Sequence, residues 1–121
     1  METIDKRETD RLIASDKVEG TNVYNHQGER LGTVRRFMVD KKSGQVEYAV
    51  LGFGGLFGLG EDYYPLPWQM LTYDVRHGGY VVNLDKDQLR DAPRYAGDNE
   101  PAYDRDYDEQ VYGHYGLPSR Y

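Results

Sequence analysis

Gln45-Val46-Glu47-Tyr48-Ala49-Val50-Leu51-Gly52-Phe53 runs into Gly54-Gly55-Leu56-Phe57-Gly58-Leu59-Gly60, and the chain returns through Glu61-Asp62-Tyr63-Tyr64-Pro65-Leu66-Pro67-Trp68. In the first segment Val46, Tyr48, Val50 and Gly52 alternate with Glu47, Ala49, Leu51 and Phe53. Both phases are fairly apolar, which marks a central strand buried on two faces. The second segment is a glycine-rich crossing, and the third is a strand that Pro65 and Pro67 confine to an edge or bring to an end. Leu56, Phe57 and Leu59 at a loop tip are unusual, because water favours polar residues there. Gly54, Gly55, Gly58 and Gly60 permit a tight crossing. The three apolar residues then either cover the end of the fold or dock on a partner or a second copy.

On the N-terminal side of this stretch, Asn22-Val23-Tyr24 reads as a short strand. It is closed by Asn25-His26-Gln27-Gly28, where Asn and Gly tolerate the positive φ of a tight turn. Arg30 to Asp40 is a longer strand in which neither phase is cleanly apolar, so a bulge or coil near Gly32 is expected to switch its faces. Lys41-Lys42-Ser43-Gly44 is a hairpin turn. Leu12 and Ile13 begin the ordered part, with Ser15 or Asp16 capping a short turn that Gly20 closes. The charged residues 1–11 read as a disordered lead-in.

On the C-terminal side, Trp68–Leu71 is a turn of helix, Thr72–Val75 and Tyr80–Leu84 form a hairpin, and Asp85 caps a short helix through Arg90. Pro67 and Trp68 read as structural, Trp68 as part of the core. Five to six short antiparallel strands without βαβ spacing predict a mainly β chain, a small antiparallel meander forming an open or closed β-barrel. Residues 94–121 form a different zone. Residues 92–121 hold six acids against three bases and six of the twelve tyrosines, whereas residues 12–91 hold eleven acids against nine bases. A helix is predicted over about 104–115, with acids in its first turns to suit the helix dipole. Tyr107, Val111, Tyr112 and Tyr115 form one stripe along it. Burying such a stripe is worth ~1.5–3 kcal/mol per aromatic, and the receiving surface is either the chain's own barrel or a neighbouring subunit.

With 121 residues, 38% hydrophobic and 30% charged, the chain suits one domain, and no apolar run approaches the ~18 residues of a membrane span. Its start carries charge of both signs and no apolar core, so a signal peptide is not expected and the cytoplasm is the expected location. The absence of cysteine excludes disulfides and thiolate zinc sites. A net charge of −6 speaks against nucleic-acid binding. The Arg35-Arg36 and Lys41-Lys42 pairs are simplest as solvated residues, although contact with a membrane surface stays open. His26, His77 and His114 show no paired spacing for a metal. Glu61 and Asp62 point to opposite faces of a strand and cannot share one substrate atom. The glycine loop lacks the Gly-Lys-Ser/Thr ending of a phosphate cradle. Neither catalysis nor a cofactor is expected.

In order and spacing, several pieces of this chain resemble the PRC-barrel family, named for the barrel in the H subunit of photosynthetic reaction centres and also represented in a ribosome-maturation factor. They are Val23-Tyr24-Asn25, Gly28-Glu29-Arg30-Leu31-Gly32-Thr33-Val34, Val39-Asp40, Ser43 to Leu51, Phe53 to Glu61, Pro67-Trp68, and Asp85 to Leu89 with Ala92-Pro93. The resemblance covers about residues 12–93. The H subunit has a membrane helix ahead of its barrel and the ribosome factor another domain. This chain shows neither, and its Tyr112-Gly-His-Tyr-Gly tail resembles that of stand-alone bacterial members. The resemblance implies a small barrel used for protein interaction, with no family-wide catalytic residues to carry over. The functional expectation is self-association or docking on a protein through Leu56, Phe57, Leu59 and the tail residues Tyr107, Val111, Tyr112 and Tyr115. The alternative is a small-ligand or membrane-surface sensor related to photosynthetic electron-transport subunits.

Overall fold

A computed structural model describes residues 6–54, 61–119 and 121. Its strands are β1 (Asn22–Tyr24), β2 (Arg30–Val39), β3 (Val46–Gly54), β4 (Glu61–Pro67), β5 (Thr72–Asp74), β6 (Gly79–Val81) and β7 (Tyr95–Ala96). Its helices are α1 (Ser15–Val18), α2 (Lys86–Arg90) and α3 (Arg105–His114), with a turn of 3-10 helix at Trp68–Met70. The seven strands form one sheet in the order β5-β6-β1-β2-β3-β4-β7. The fold is mainly β, as the turn spacing predicts, with a helix after the last hairpin and another in the tail. The pairings among the described residues run from β5 to β7 without joining the two ends.

Two features of the sheet depart from the expected meander. β7, only two residues long, pairs antiparallel with β4 through Asp62↔Ala96 and Tyr63↔Tyr95. β1 and β6 pair in parallel, Val23 with Tyr80 and Tyr24 with Val81. A parallel pair needs a long crossover, and here the intervening strands β2 to β5 provide it.

β2 and β3 fix the faces. The pairing of β2 skips Leu31 against β1 and Arg35 against β3, and that of β3 skips Glu47. The first of these bulges adjoins Gly32, where the sequence places one. The bulges let Leu31 through Val34 lie buried in a row while Arg35 and Arg36 both reach solvent. A Cβ on Gly32 would stand 2.4 Å from the Gly52 carbonyl oxygen, so the two backbones meet there only because the residue is glycine.

Register then separates two faces on β3. Ala49 and Leu51 sit opposite Leu66 and Tyr64 of β4, and opposite Phe37 and Val34 of β2. This is the side of the inner core, where Val23, Leu31, Val34, Leu51, Leu66, Val82 and Leu89 are buried and Trp68, Phe37 and Ile13 pack against them. Trp68 has its ring 6.3 Å from Phe37 and 5.4 Å from Tyr80, in keeping with a core role. Tyr48 and Val50 share the opposite face with Pro67 and Pro65, and with Met38 and Arg36. Over that face lies a second cluster of Tyr48, Val111 and Tyr112, flanked by Met38, Tyr103, Tyr107, Tyr115 and Leu117.

Two local expectations change. Residues 6–11, read as part of a disordered lead-in, belong to a turn held by a Glu8↔Ile13 bridge and a Lys17–Glu8 ion pair at 2.7 Å. Helix α1 starts after Ala14 without a side-chain cap, so Ser15 and Asp16 are first-turn residues and not caps. Asp85 does cap α2. Its carboxylate accepts from the Gln88 N–H at 2.7 Å, and Gln88 Oε1 accepts from the Asp85 N–H at 2.9 Å.

Candidate interaction surfaces

The first candidate surface is the root of the glycine-rich crossing. Leu56, Phe57, Leu59, Gly55, Gly58 and Gly60 lie outside the described residues. At the root, Gly54 has φ of 113°, a conformation that favours glycine. Phe53 beside it is 39% exposed and pairs in register with Asp62. Arg35 Nη2 meets Glu61 Oε2 at 2.6 Å, and Arg94 stands 3.6 Å from Asp62. The two acids thus point apart, each to its own arginine, and an exposed aromatic ring sits within a charged rim.

The second is the outer face of the sheet, beneath the tail. Tyr95 stacks on Tyr63 with centroids 5.6 Å apart, and its hydroxyl shares a 2.9 Å hydrogen bond with that of Tyr103. Arg36 donates to the Tyr95 hydroxyl at 3.2 Å and pairs with Glu100. Asp104 caps α3, accepting from the Tyr107 N–H at 3.0 Å. The helix then lays Val111 and Tyr112 onto Tyr48, with the Tyr48 and Tyr112 rings edge to face at 5.6 Å. The Tyr112 hydroxyl donates to the Glu47 carbonyl at 2.9 Å. Asp108, 2% exposed, accepts from the Tyr48 hydroxyl and from Ser119 Oγ at 2.6 Å. The tail stripe is therefore received by the chain's own sheet: Val111 and Tyr112 are buried, and Tyr107 and Tyr115 half-buried.

Burial sets the electrostatics of this face. It raises the Tyr48 phenol, and the hydrogen bond to Asp108 adds to the rise. Burial likewise raises Tyr103 and Tyr115, and pushes Tyr107 up to about 12. Among the described residues the buried hydroxyls of Tyr107 and Tyr115 have no hydrogen-bond partner.

Two further clefts lie among the described residues. One of about 450 Å³ has Trp68, Leu71, Tyr73 and Tyr80 among its walls, and Leu12 (62% exposed) and Val75 (84% exposed) also line it. The parallel β1–β6 pairing brings the turns of His26 and His77 to another, which sequence distance concealed. There His77 Nδ1 lies 3.0 Å from Asp74 Oδ2, which lowers the Asp74 carboxyl, and its ring packs on Tyr24. His114 lies against Tyr115 on the tail. Among the described residues no three His, Asp, Glu or Cys side chains are placed to hold a metal.

Sequence reasoning found the stripe on α3 but missed two partners it meets, the buried Asp108 and the Tyr103 ring. Asp108 reads in sequence as one more acid of a first turn. Its only signal is a position one turn before Tyr112, on the side of the stripe.

A protein of Deinococcus radiodurans, described as uncharacterized, is 30% identical over 93 residues. The alignment covers 76% of this chain and 33% of the relative, so the chain spans about a third of that protein's length. A family model described as the PRC-barrel domain matches residues 10–89, which contain β1 to β6 and most of the inner core. This chain belongs to the PRC-barrel domain family.

Proposed function

We propose that this chain is a non-catalytic protein-interaction module of the cytoplasm, docking on a protein partner or a second copy through the apolar segment that holds Leu56, Phe57 and Leu59. The observation that carries this reading is Phe53, a large aromatic left 39% exposed where β3 enters that segment. Exposed apolar residues inside a polar rim mark contact sites. The ionisable groups nearby support the same reading, because Arg35, Glu61, Asp62 and Arg94 are engaged in ion pairs and do not converge on an open cleft. No helix among the described residues is long and apolar enough to cross a membrane.

The experiment is Phe57→Asp, with Phe53→Asp beside it. Both variants are expected to keep the wild-type melting temperature and to lose the mass or the captured partner that the wild type shows. A wild type that stays monomeric at micromolar concentration and captures nothing overturns the reading. A second reading, an apolar ligand or a membrane surface held at the cleft between Leu12 and Val75, is favoured by the exposure of those two side chains over an aromatic wall. A rise in melting temperature with quinones or lipid vesicles, abolished by Val75→Asp, is its expected mark.

A further inference from the structure

The outer face of β2, β3 and β4 is apolar by register apart from Arg36. Met38, Tyr48, Val50, Pro65 and Pro67 share it, and α3 supplies its cover. The family match ends at residue 89, so that cover lies outside the matched domain. Between β7 and α3 the chain runs through Gly97 to Ala102 without regular structure and mostly in solvent. Pro101 favours extended backbone at Glu100, which suits an opened linker.

A ten-residue helix has little stability of its own in water, so α3 is ordered by docking. It buries Val111 and Tyr112 on the sheet, and the hydroxyls of Tyr107 and Tyr115 are buried there without partners among the described residues. When released, the tail is acidic and soluble. The vacated sheet face is not, and needs a cover of the same shape and chemistry.

We propose that this face exchanges its cover between copies, the α3 segment of one chain docking on the β2–β3–β4 face of another. The proposal rests on the interaction-module reading but assigns it a different surface from the glycine-rich segment. The ties from Tyr48 to Asp108 and from Tyr112 to the Glu47 carbonyl form as well between two copies as within one. Exchange of an identical element therefore requires no new interface chemistry.

The test uses a fluorescently labelled peptide of residues 95–121 added to the full chain. Its anisotropy is expected to rise with the wild type at about 100 µM chain. Against Val111→Asp, whose own helix no longer competes for the face, binding is expected to be at least roughly tenfold tighter. No binding to either chain, or equal binding to both, overturns the proposal. Should Val111→Asp lose its β-sheet circular dichroism, the chain lacking Asp98 to Pro101 decides. Four residues then remain between Ala96 and Arg105, a linker expected to be too short for α3 to reach its own sheet, so a dimer is expected and a monomer overturns exchange. A wild type that dimerises without taking up the peptide, while Val111→Asp still dimerises, overturns exchange and leaves association through the glycine-rich segment standing.

Discussion

The two faces of β3 are both buried, but by different chemistry. On the inner face Leu51 meets Val34 and Leu66, side chains without polar atoms whose burial is non-directional. On the outer face Tyr48 meets Tyr103, Tyr112 and Asp108, and each hydroxyl or carboxylate requires a partner in the right place. The inner core, whose titratable phenols are Tyr64 and Tyr80, both raised by burial, is otherwise built of aliphatic side chains and fails through cavities. The outer one fails through charge and lost hydrogen bonds. One strand thus separates a general scaffold from a conditional cover.

Alkaline titration is expected to give the largest contrast. Burial raises the phenols of Tyr48, Tyr103 and Tyr115 and pushes Tyr107 up to about 12 from an ordinary 10.0. The folded chain then keeps these protons while the unfolded chain loses its own. Stability is whole below pH 10 and falls as the pH rises toward 12. Tyrosinate absorbance is expected to appear late and cooperatively, with hydrogen exchange showing the tail released before the sheet. Non-cooperative titration of all the tyrosines near 10 would remove the distinction between the cores.

Leu51→Ala is next, at ~2–5 kcal/mol of global stability in urea, because it opens a cavity where β2, β3 and β4 meet. Tyr48→Phe follows, at ~1–3 kcal/mol, since it takes a donor from a buried carboxylate. Its loss is expected to register in the exchange rates of α3 more than in those of β1 and β6. Asp85→Ala breaks the capping box of α2 and costs about 1 kcal/mol, read as a lowered melting temperature. Tyr107→Phe is the smallest, within ~0.5 kcal/mol of the wild type or slightly stabilising, because the hydroxyl it removes has no partner among the described residues. A loss above ~1 kcal/mol would show that this hydroxyl is satisfied in solution.

Much of the fold was legible in the residues. The double-faced apolar pattern of residues 45–53 marked β3 as central, and the mixed phases of residues 30–40 marked a bulge beside Gly32. The parallel β1–β6 contact was not legible, because three-residue strands carry too little periodicity to name a neighbour. β7 was missed for the same reason. The stripe on α3 showed which side chains seek burial, yet a stripe says nothing of what receives it. The recipient was in view, since Tyr48 and Val50 are the very residues that made β3 apolar on its second face. Joining the two observations needs the strand register, which hydrophobic patterning alone does not supply.

Pro65 and Pro67 have a consequence for how this protein meets others. Among the described residues β7 pairs with β4 at Asp62 and Tyr63, and Tyr64 to Pro67, buried under other parts of the chain, have no strand beside them on that margin of the sheet. Two of those four positions have no N–H to offer, so an incoming strand cannot build a ladder there. Growth of the sheet from copy to copy, the route by which β proteins form fibres, is blocked at that margin by the backbone itself.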